Sequence, residues 1–570
     1  MSSGPEMLEL RLSRLYGLLL VFFLASVALV ARAVNLQVAE TEFLQGQGEA
    51  RFLREVEIPT RRGIISDRNG EPFAISTPVD SVWVNPSELL QVPDKLEQLA
   101  RVMETDPDEL ERKLNQRAGK EFVWLRRRLN PDLAAQIKAL AIQGVFLQKE
   151  YRRFYPAGEV AAHVVGFTNI DDIGQEGLEL AYNDWLIGET GTKRVIKDRL
   201  GRTVEEVELI REARPGNDLQ LTIDRRLQYL AYMELKRTVL EHGARSGSVV
   251  LLDLENSEIL AMVNQPSYNP NQPNASSHGL RNRAVTDVFE PGSVMKPFAV
   301  TSALEEGSVS PATAVETTPG TLQVSGHTIR DHHDYGLLDV TGVLTKSSNV
   351  GVTKLALELP AELMWDTYRR YGFGEATGTG FPGESAGVLR NHRRWRVLEQ
   401  ATISYGYGIS ATALQLAQAY AVIADHGRLR PPTLIQGATN PPLSVIDPNI
   451  AQQVAAMLET VTGPAGTGKK ARVANYRVAG KTGTSRKASA SGYASRYVAS
   501  FAGFAPMSRP RLVGVVVIND PTGELYYGGD VAAPLFSKVM SGALRLMNIP
   551  PDDYSSLLVQ ADDELGGNQR

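Results

Sequence analysis

The chain contains no cysteine among its 570 residues. This absence excludes disulfide bonds, metal sites built on thiolates and a cysteine nucleophile, and it suits an oxidising compartment. A strong charge of either sign is also missing, because 60 basic and 65 acidic residues leave a formal net charge of only −5. So weak a charge on so long a chain argues against nucleic acid as a partner. The composition, 43% hydrophobic and 22% charged, is that of an ordinary globular protein with room for two or three domains.

Long apolar runs are scarce as well, and only one approaches the length of a bilayer crossing. It covers residues 15–31 and is flanked by Arg14 and Arg32, which places it near the lower limit for a transmembrane helix. The alternative is a cleaved signal peptide, because residues 31–33 at the end of the run read Ala-Arg-Ala, but an arginine is unfavourable in a cleavage site. We therefore predict an uncleaved anchor over 15–32 and a cytoplasmic tail over 1–14, with the remaining chain on the outer side.

The chemistry is concentrated in residues 289–298, which read Phe-Glu-Pro-Gly-Ser-Val-Met-Lys-Pro-Phe. A Pro-Gly turn leads into Ser293, and an apolar, helix-compatible stretch follows. Ser293 and Lys296 are three residues apart, so on a helix their side chains lie on one face. A serine hydroxyl becomes a good nucleophile when a neutral amine takes its proton, and a helix start favours an anion. We predict that Ser293 is a nucleophile and Lys296 its general base.

Two further motifs follow in a fixed order. Residues 347–349 read Ser-Ser-Asn, and residues 481–484 read Lys-Thr-Gly-Thr. A Ser-x-x-Lys, a Ser-Asp-Asn and a Lys-Thr-Gly motif together form the signature of penicillin-binding proteins and class A β-lactamases. On these motifs the chain resembles a class B penicillin-binding protein. Its middle motif departs from the signature at one place, Ser348.

The resemblance implies roles for the residues around the nucleophile. Burial and a second cation, Lys481, are expected to lower the pKa of Lys296, because both disfavour a charged amine. Ser347 would relay a proton between Lys296 and the leaving amine. Asn349 would hold the backbone amide of the substrate.

The third motif is predicted to lie on a strand that exposes its backbone to substrate. Lys481, Thr482 and Thr484 offer a positive charge and two hydroxyls to a terminal carboxylate, while Gly483 would allow substrate to approach closely. The resemblance implies an oxyanion hole formed by the backbone N–H groups of Ser293 and Thr484. These features fit a peptide that ends in D-Ala-D-Ala, and the mechanism requires neither a metal ion nor a cofactor.

The order of elements predicts an α+β protein. Residues 33–215 are expected to form an N-terminal pedestal, 216–551 the catalytic domain and 552–570 a disordered tail. Strands at both ends of the catalytic domain, with helices between them, indicate an antiparallel sheet flanked by helices. The resemblance implies a serine β-lactamase-like transpeptidase fold and an elongated α/β pedestal of the dimerisation type. Elements predicted from local patterns are an Asn-Gly hairpin turn in 61–70, helices near 106–118, 131–141, 225–241 and 411–425, a hairpin of 246–253 with 258–263, and strands at 477–480, 497–504 and 511–518.

Several other motifs are interpreted as structural. Residues 463–470 nearly match a phosphate-binding loop, but Lys470 stands where a serine or threonine must ligate magnesium. The Asp-His-His-Asp stretch 331–334 is predicted to be a solvated loop near the substrate groove and not a metal site. The tyrosine-glycine loops 404–408 and 526–529 look like loops of the same family and are expected to support the fold.

The resemblance implies a single-pass protein of the bacterial inner membrane with its catalytic domain in the periplasm. It would be a D,D-transpeptidase that cross-links peptidoglycan stem peptides during septal wall synthesis and is inhibited covalently by β-lactams. Because no glycosyltransferase motif is visible, glycan polymerisation would fall to a partner, a polytopic membrane glycosyltransferase, acting with other division proteins. The pedestal stretches 61–70, 154–158 and 174–179 are closest to the division-type branch.

Other functions stay open. An elongation-type enzyme or a specialised septal paralogue would carry the same motifs. A D,D-carboxypeptidase or a β-lactamase needs neither an anchor nor a long pedestal, and no deacylating glutamate is visible. A β-lactam-sensing receptor would need a cytoplasmic output domain, for which 1–14 is too short. A silent scaffold is disfavoured because all three motifs are intact.

Overall fold

The computed structural model describes residues 6–39, 53–197, 203–273, 279–438, 440–489 and 492–553. Contacts divide the chain into two compact units. The first unit contains residues 1–61, 78–151 and 188–215, and the second contains 62–77, 152–187 and 216–570. Two segments of the predicted pedestal are thus counted with the catalytic part. Most of the predicted tail 552–570, and the first residues of 1–14, lie outside the described residues.

In the first unit, the apolar N-terminal run forms a long helix. The helix covers Glu6–Val34 and continues into a π-helical turn, Asn35–Ala39. Within it, Arg14–Val38 has a mean hydropathy of 2.4 over its most apolar window and is long enough to cross a membrane. The helix is longer than the predicted anchor 15–32.

The short helices of the first unit each begin with a proline, and two of them also have a side-chain cap. Asn85 and Asp106 each accept a hydrogen bond from a backbone N–H of the helix that follows, and a proline occupies the first helical position. Both features satisfy or remove the unpaired N–H groups of a helix start. Buried apolar side chains from these helices and from the adjoining strands form one core. The helices are Pro86–Leu89, Pro93–Val102, Pro107–Asn115 and Pro131–Ala139.

Strands of the first unit pair antiparallel. Gly191–Lys197 lies between Leu53–Ile58 and Thr203–Arg211 in a three-stranded sheet. Elsewhere, the end of Pro72–Val84 pairs with Val123–Leu129.

The second unit is built on a five-stranded antiparallel sheet. Its strand Ser246–Asp253 is buried at every position, because helices cover both faces of the sheet. Arg225–Glu241 and Gly528–Leu546 pack on one face around one hydrophobic cluster. Helices of the other face, including Ala413–Ala424, share a second cluster. In spatial order the strands are Glu258–Gln265, Ser246–Asp253, Leu512–Asn519, Gly492–Ala505 and Ala479–Ser489.

Most local predictions for the second unit are confirmed. The helix Arg225–Glu241 begins at Asp224, whose carboxylate accepts from the N–H of Arg226. The strand predicted to begin at residue 477 begins at Ala479, and it continues to Ser489 through the third motif, which was predicted to lie on a strand. The predicted α+β architecture is confirmed.

The remaining described elements of the two units are mostly short. They are the helices Ala162–Val165, Gly177–Ala181, Asn183–Leu186, Arg283–Thr286, Lys296–Glu306, Val340–Lys346, Asn349–Leu357, Ala361–Arg370, Val397–Ser404 and Pro448–Thr462, the 3₁₀ turns Gly158–Val160, Gly292–Met295, His392–Arg394 and Lys469–Ala471, and the strands Ile65–Ser66, Val145–Phe154, Leu219–Gln220, Ala314–Glu316, Thr321–Val324, His327–Arg330, Leu337–Asp339, Arg428–Leu429 and Leu443–Ser444.

Candidate active site

Ser293 lies in a 3₁₀ turn, Gly292–Met295, directly before the helix that Lys296 begins. The sequence predicted an α-helix here, and the tighter turn still keeps the two residues on one side, because side chains three apart eclipse in a 3₁₀ helix. Ser293 is partly exposed, whereas the side chain of Lys296 is 0% exposed. The hydroxyl therefore faces the outside of the helix start and the amine lies within the protein.

The turn is fixed from behind by the tyrosine-glycine loop 404–408. The N–H of Gly292 donates to the carbonyl of Gly406 over 3.1 Å. A Cβ added at Gly406 would lie 2.1 Å from the carbonyl oxygen of Gly292, so only glycine allows the two backbones to approach this closely. The loop therefore has the supporting role that the sequence analysis expected.

Lys296 contacts the second motif. Its Nζ donates to the carbonyl of Ser347 at 2.5 Å and to the Oγ of Ser347 at 3.1 Å. Burial lowers the pKa of Lys296 to about 7, although the carboxylate of Asp331 acts in the opposite direction. A large fraction of the amine is therefore neutral at neutral pH, which is the form that can accept a proton.

Ser347 ends the helix Val340–Lys346 in the left-handed conformation, with φ = +60°. This conformation is uncommon for a residue with a Cβ and is often found at functional positions. Here it ends one helix directly before the next, and both oxygens of Ser347 lie against Lys296.

Asp331 holds the rest of the second motif, and sequence reasoning missed it. Its carboxylate accepts from the Ser348 hydroxyl and the Asn349 N–H, each at 2.5 Å, and from the Val350 N–H at 3.1 Å. The Asp331 carboxylate thus contacts Ser348, the residue that stands where the signature has aspartate. The sequence offered one signal, the carboxylate at the start of the 331–334 stretch, but the whole stretch was interpreted as a solvated loop.

The third motif lies on the edge strand Ala479–Ser489. Lys481 is 0% exposed, and its pKa is lowered well below its ordinary value by burial and by the positive charge of Lys296. The repulsion between the two buried amines is mutual, so each disfavours the charged form of the other. The hydroxyls of Thr467 and Thr482 are 2.8 Å apart, and Thr484 Oγ1 accepts from the N–H of Gly528 at 2.9 Å.

Gly483 has a structural reason different from the predicted one. A Cβ at this position would lie 2.3 Å from Ser500 Oγ and 2.8 Å from the carbonyl oxygen of Pro291. The absent side chain therefore allows the strand to pack against the nucleophile turn, and the glycine is not required for substrate approach from the side that its Cβ would occupy.

A cavity of about 710 Å³ joins the three motifs. Ser293, Ser347, Asn349, Thr482 and Thr484 all line it, whereas Lys296, Lys481 and Gly483 are buried and do not line it. Among the described residues, the other lining residues are His332, His333, Tyr335, Lys346, Tyr405, Tyr407, Thr467, Lys469, Lys470, Arg486, Tyr497, Tyr526, Tyr527, Gly529 and Asp530. An accessible hydroxyl with a partly neutral amine nearby is suited to acyl transfer.

Comparison with known proteins identifies the family. Residues 247–541 match the penicillin-binding protein transpeptidase domain, and residues 57–221 match the penicillin-binding protein dimerisation domain. Over 559 residues the chain is 43% identical to the peptidoglycan D,D-transpeptidase FtsI of Escherichia coli (strain K12), covering 95% of this chain and 94% of that protein. The chain is a class B penicillin-binding protein.

Other members are similar over comparable lengths. This penicillin-binding protein is 43% identical over 552 residues to the probable peptidoglycan D,D-transpeptidase PbpC of Pseudomonas aeruginosa PAO1, covering 96% and 97% of the two chains. The crystal structure of penicillin-binding protein 3 from Mycobacterium tuberculosis complexed with aztreonam matches with a TM-score of 0.68 at 28% identity, covering 87% and 98%. The predicted family and enzyme class, a serine-type D,D-transpeptidase, are confirmed. The roles of individual residues stay predictions.

Proposed function

We propose that this penicillin-binding protein cross-links peptidoglycan stem peptides during septal wall synthesis through an acyl ester on Ser293. One observation carries the proposal. The Ser293 hydroxyl lines a cavity, and three residues later a fully buried Lys296, whose pKa is lowered to about 7, contacts Ser347. This arrangement supplies a nucleophile, a base at working pH and a hydroxyl to carry the proton onward.

In the first half-reaction Lys296 removes the proton of Ser293 as Oγ attacks the carbonyl between the two D-alanines. The N–H groups of Ser293 and Thr484 stabilise the oxyanion. The C–N bond then breaks, and the proton returns through Ser347 to the nitrogen of the leaving D-alanine. The product is an ester of Ser293 and one free D-alanine.

In the second half-reaction an amine of another stem peptide attacks the ester. The new C–N bond forms, the bond to Ser293 Oγ breaks, and the amine proton passes by way of Lys296 to Oγ. Ser293 and Lys296 thereby return to their starting states, so the cycle needs no cofactor.

Substrate is held by the second and third motifs. Asn349 uses an N–H of its side chain to bind the carbonyl of Arg330 at 2.8 Å, which leaves its amide oxygen to accept from a backbone N–H of the donor peptide. Thr482 and Thr484 line the cavity and would bind the terminal carboxylate by their hydroxyls, with the buried Lys481 behind them.

The N-terminal helix would anchor the enzyme in the inner membrane, with the catalytic domain in the periplasm. The partner would be a polytopic membrane glycosyltransferase that polymerises the glycan, within a group of division proteins. Support for the septal assignment comes from relatives named FtsI. Support for β-lactam binding comes from the relative that was solved with aztreonam.

The test is intact-mass spectrometry of the full chain in detergent after exposure to a penicillin, beside Ser293→Ala. We expect a stable adduct of one drug molecule on the wild type and none on the variant. Rapid loss of the adduct with hydrolysis of the drug would indicate a β-lactamase. No adduct on the folded wild-type protein would overturn the proposed mechanism.

A further inference from the structure

Segment 463–470, the imperfect match to a phosphate-binding loop, lies at the active-site cavity. Its residues Lys469 and Lys470 line the cavity, as does Lys346 at the end of the helix Val340–Lys346. We name these three lysines the basic rim. None of them belongs to the three motifs, and the proposed acyl-transfer cycle does not use them.

The basic rim is held against the second and third motifs. Lys346 Nζ donates to the carbonyl of Ala465 at 3.1 Å, which ties the helix before Ser347 to the loop. The hydroxyl of Thr467 lies 2.8 Å from that of Thr482, which ties the loop to the edge strand. These contacts place the loop between the two motifs that are proposed to bind substrate.

The positive charge of the basic rim exceeds the negative charge of the carboxylates that line the cavity. Lys470 pairs with Asp530 at 2.8 Å, and Asp530 is the only carboxylate among the described residues that line the cavity. Within the part of the chain that the structure describes, Lys346 and Lys469 form no ion pair with a carboxylate. Arg486 lines the same cavity. The cavity therefore carries an excess of positive charge, although the whole chain has a net charge of −5.

The basic rim lies beside the proposed binding place of the leaving D-alanine. Thr482 is proposed to bind the carboxylate of the D-alanine that leaves, and Thr467 of the rim loop contacts Thr482. An amine that attacks the ester must enter from the side on which the first amine left, since the two half-reactions are the same step in opposite directions. The acceptor peptide therefore passes the rim.

We propose that the basic rim binds a carboxylate of the acyl acceptor, so that the enzyme prefers acidic acceptor peptides to amidated ones. This inference rests on the proposed transpeptidase function. In the step concerned, the acceptor nitrogen forms the new amide bond while the ester bond to Ser293 breaks, and the rim holds the carboxylate without exchanging a proton. An exposed charge of this kind contributes through attraction that salt can screen.

The test is a competition between two acceptors that differ only in charge. The full chain in detergent receives a thioester analogue of the donor peptide with equal concentrations of Nα-acetyl-D-lysine and Nα-acetyl-D-lysinamide. Both offer the same side-chain amine, and only the first has a carboxylate. The ratio of the two products does not depend on how fast Ser293 is acylated. We expect a ratio of about ten for the wild type, which corresponds to about 1.4 kcal/mol, and a ratio near one for the variant Lys469→Gln/Lys470→Gln.

One control and one substitute variant make the outcome decisive. Lys538→Gln removes an exposed lysine of the helix Gly528–Leu546 that does not line the cavity, and it should keep the wild-type ratio. If the double variant does not fold, the single variant Lys469→Gln, which breaks no ion pair, decides by the same ratio. A wild-type ratio near one, or a ratio that the rim variants leave unchanged, overturns the inference alone. Penicillin acylation without transfer to either acceptor overturns the proposed function, and the inference with it.

Discussion

Two regions of the second unit bury charged side chains, one with ion pairs to a carboxylate and, among the described residues, one without. Around Glu179, the Nε atoms of Arg62 and Arg153 each lie 2.6 Å from a carboxylate oxygen, and all three side chains are at most 1% exposed. In the active site, Lys296 and Lys481 are both 0% exposed. Among the described residues neither lysine forms an ion pair with a carboxylate, and their charges repel.

The difference separates a structural use of buried charge from a chemical one. A buried arginine-carboxylate cluster keeps its charges because attraction and hydrogen bonds offset the free energy lost when the charges leave water. Removing one member leaves the other charges buried without that compensation. A buried lysine without a counter-ion lowers its pKa, and so becomes a base. We therefore expect substitutions in the first region to change stability and those in the second to change rate.

The largest effect is expected for Lys296→Met. The change removes the general base and replaces a buried amine by an apolar side chain of similar length, so we predict that acylation by penicillin slows by about 1000-fold, within the usual range for general-base catalysis. The measurement is the second-order rate constant of acylation. Thermal unfolding of the same variant is the control, and a melting temperature at or above that of the wild type is expected because no buried pair is broken. Acylation at the wild-type rate would exclude Lys296 as the base.

Glu179→Gln tests the paired region. The substitution leaves Arg62 and Arg153 buried without their counter-charge, so we predict a loss of about 3–5 kcal/mol in the free energy of unfolding. The measurement is the midpoint of denaturant unfolding of the full chain. Glu176→Gln is a matched control three residues away, where burial already raises the pKa of the carboxyl group and favours its neutral form. Equal shifts for the two variants would contradict the assignment of Glu179 as the centre of the cluster.

A pH profile tests the unpaired region in the wild type. Because burial lowers the pKa of Lys296 to about 7, the neutral fraction rises about tenfold per pH unit below that value and then levels off. The rate of acylation by penicillin should follow this curve between pH 5 and 9. A rate that keeps rising towards pH 10 would indicate a lysine with its ordinary pKa, and a flat profile would indicate another base.

The sequence predicted those features that depend on local pattern. The spacing of three residues between Ser293 and Lys296 predicted that their side chains share a face, and this holds in an α-helix and in a 3₁₀ turn. Asp224 and the apolar positions after it predicted the helix Arg225–Glu241, because capping and periodicity are local properties. The order of the three motifs predicted the family, and the cavity brings residues of all three together.

The features that were missed depend on contacts between distant segments. Asp331 binds the backbone 18 residues further along, and nothing in the Asp-His-His-Asp stretch distinguishes such a carboxylate from a solvated one. Gly483 was assigned to substrate approach, although Pro291 and Ser500 require its missing side chain. The cavity position of Lys469 could not be inferred, because a loop rich in glycine has no periodicity that would place it.

The smallest effect is expected for Asp331, whose carboxylate acts on Lys296. The charge of Asp331 raises the pKa of Lys296, so Asp331→Asn should lower that pKa and move the rising limb of the acylation profile to lower pH, while the asparagine oxygen can still accept from Asn349. Asp331→Ala removes the acceptor as well and should reduce the rate at every pH, because Ser348 and Asn349 lose their anchor. Asp334→Asn, on the same loop, is the control and should leave the profile in place. If Asp331→Asn only lowers the rate without moving the limb, Asp331 acts through the hydrogen bonds alone, and its charge does not tune Lys296.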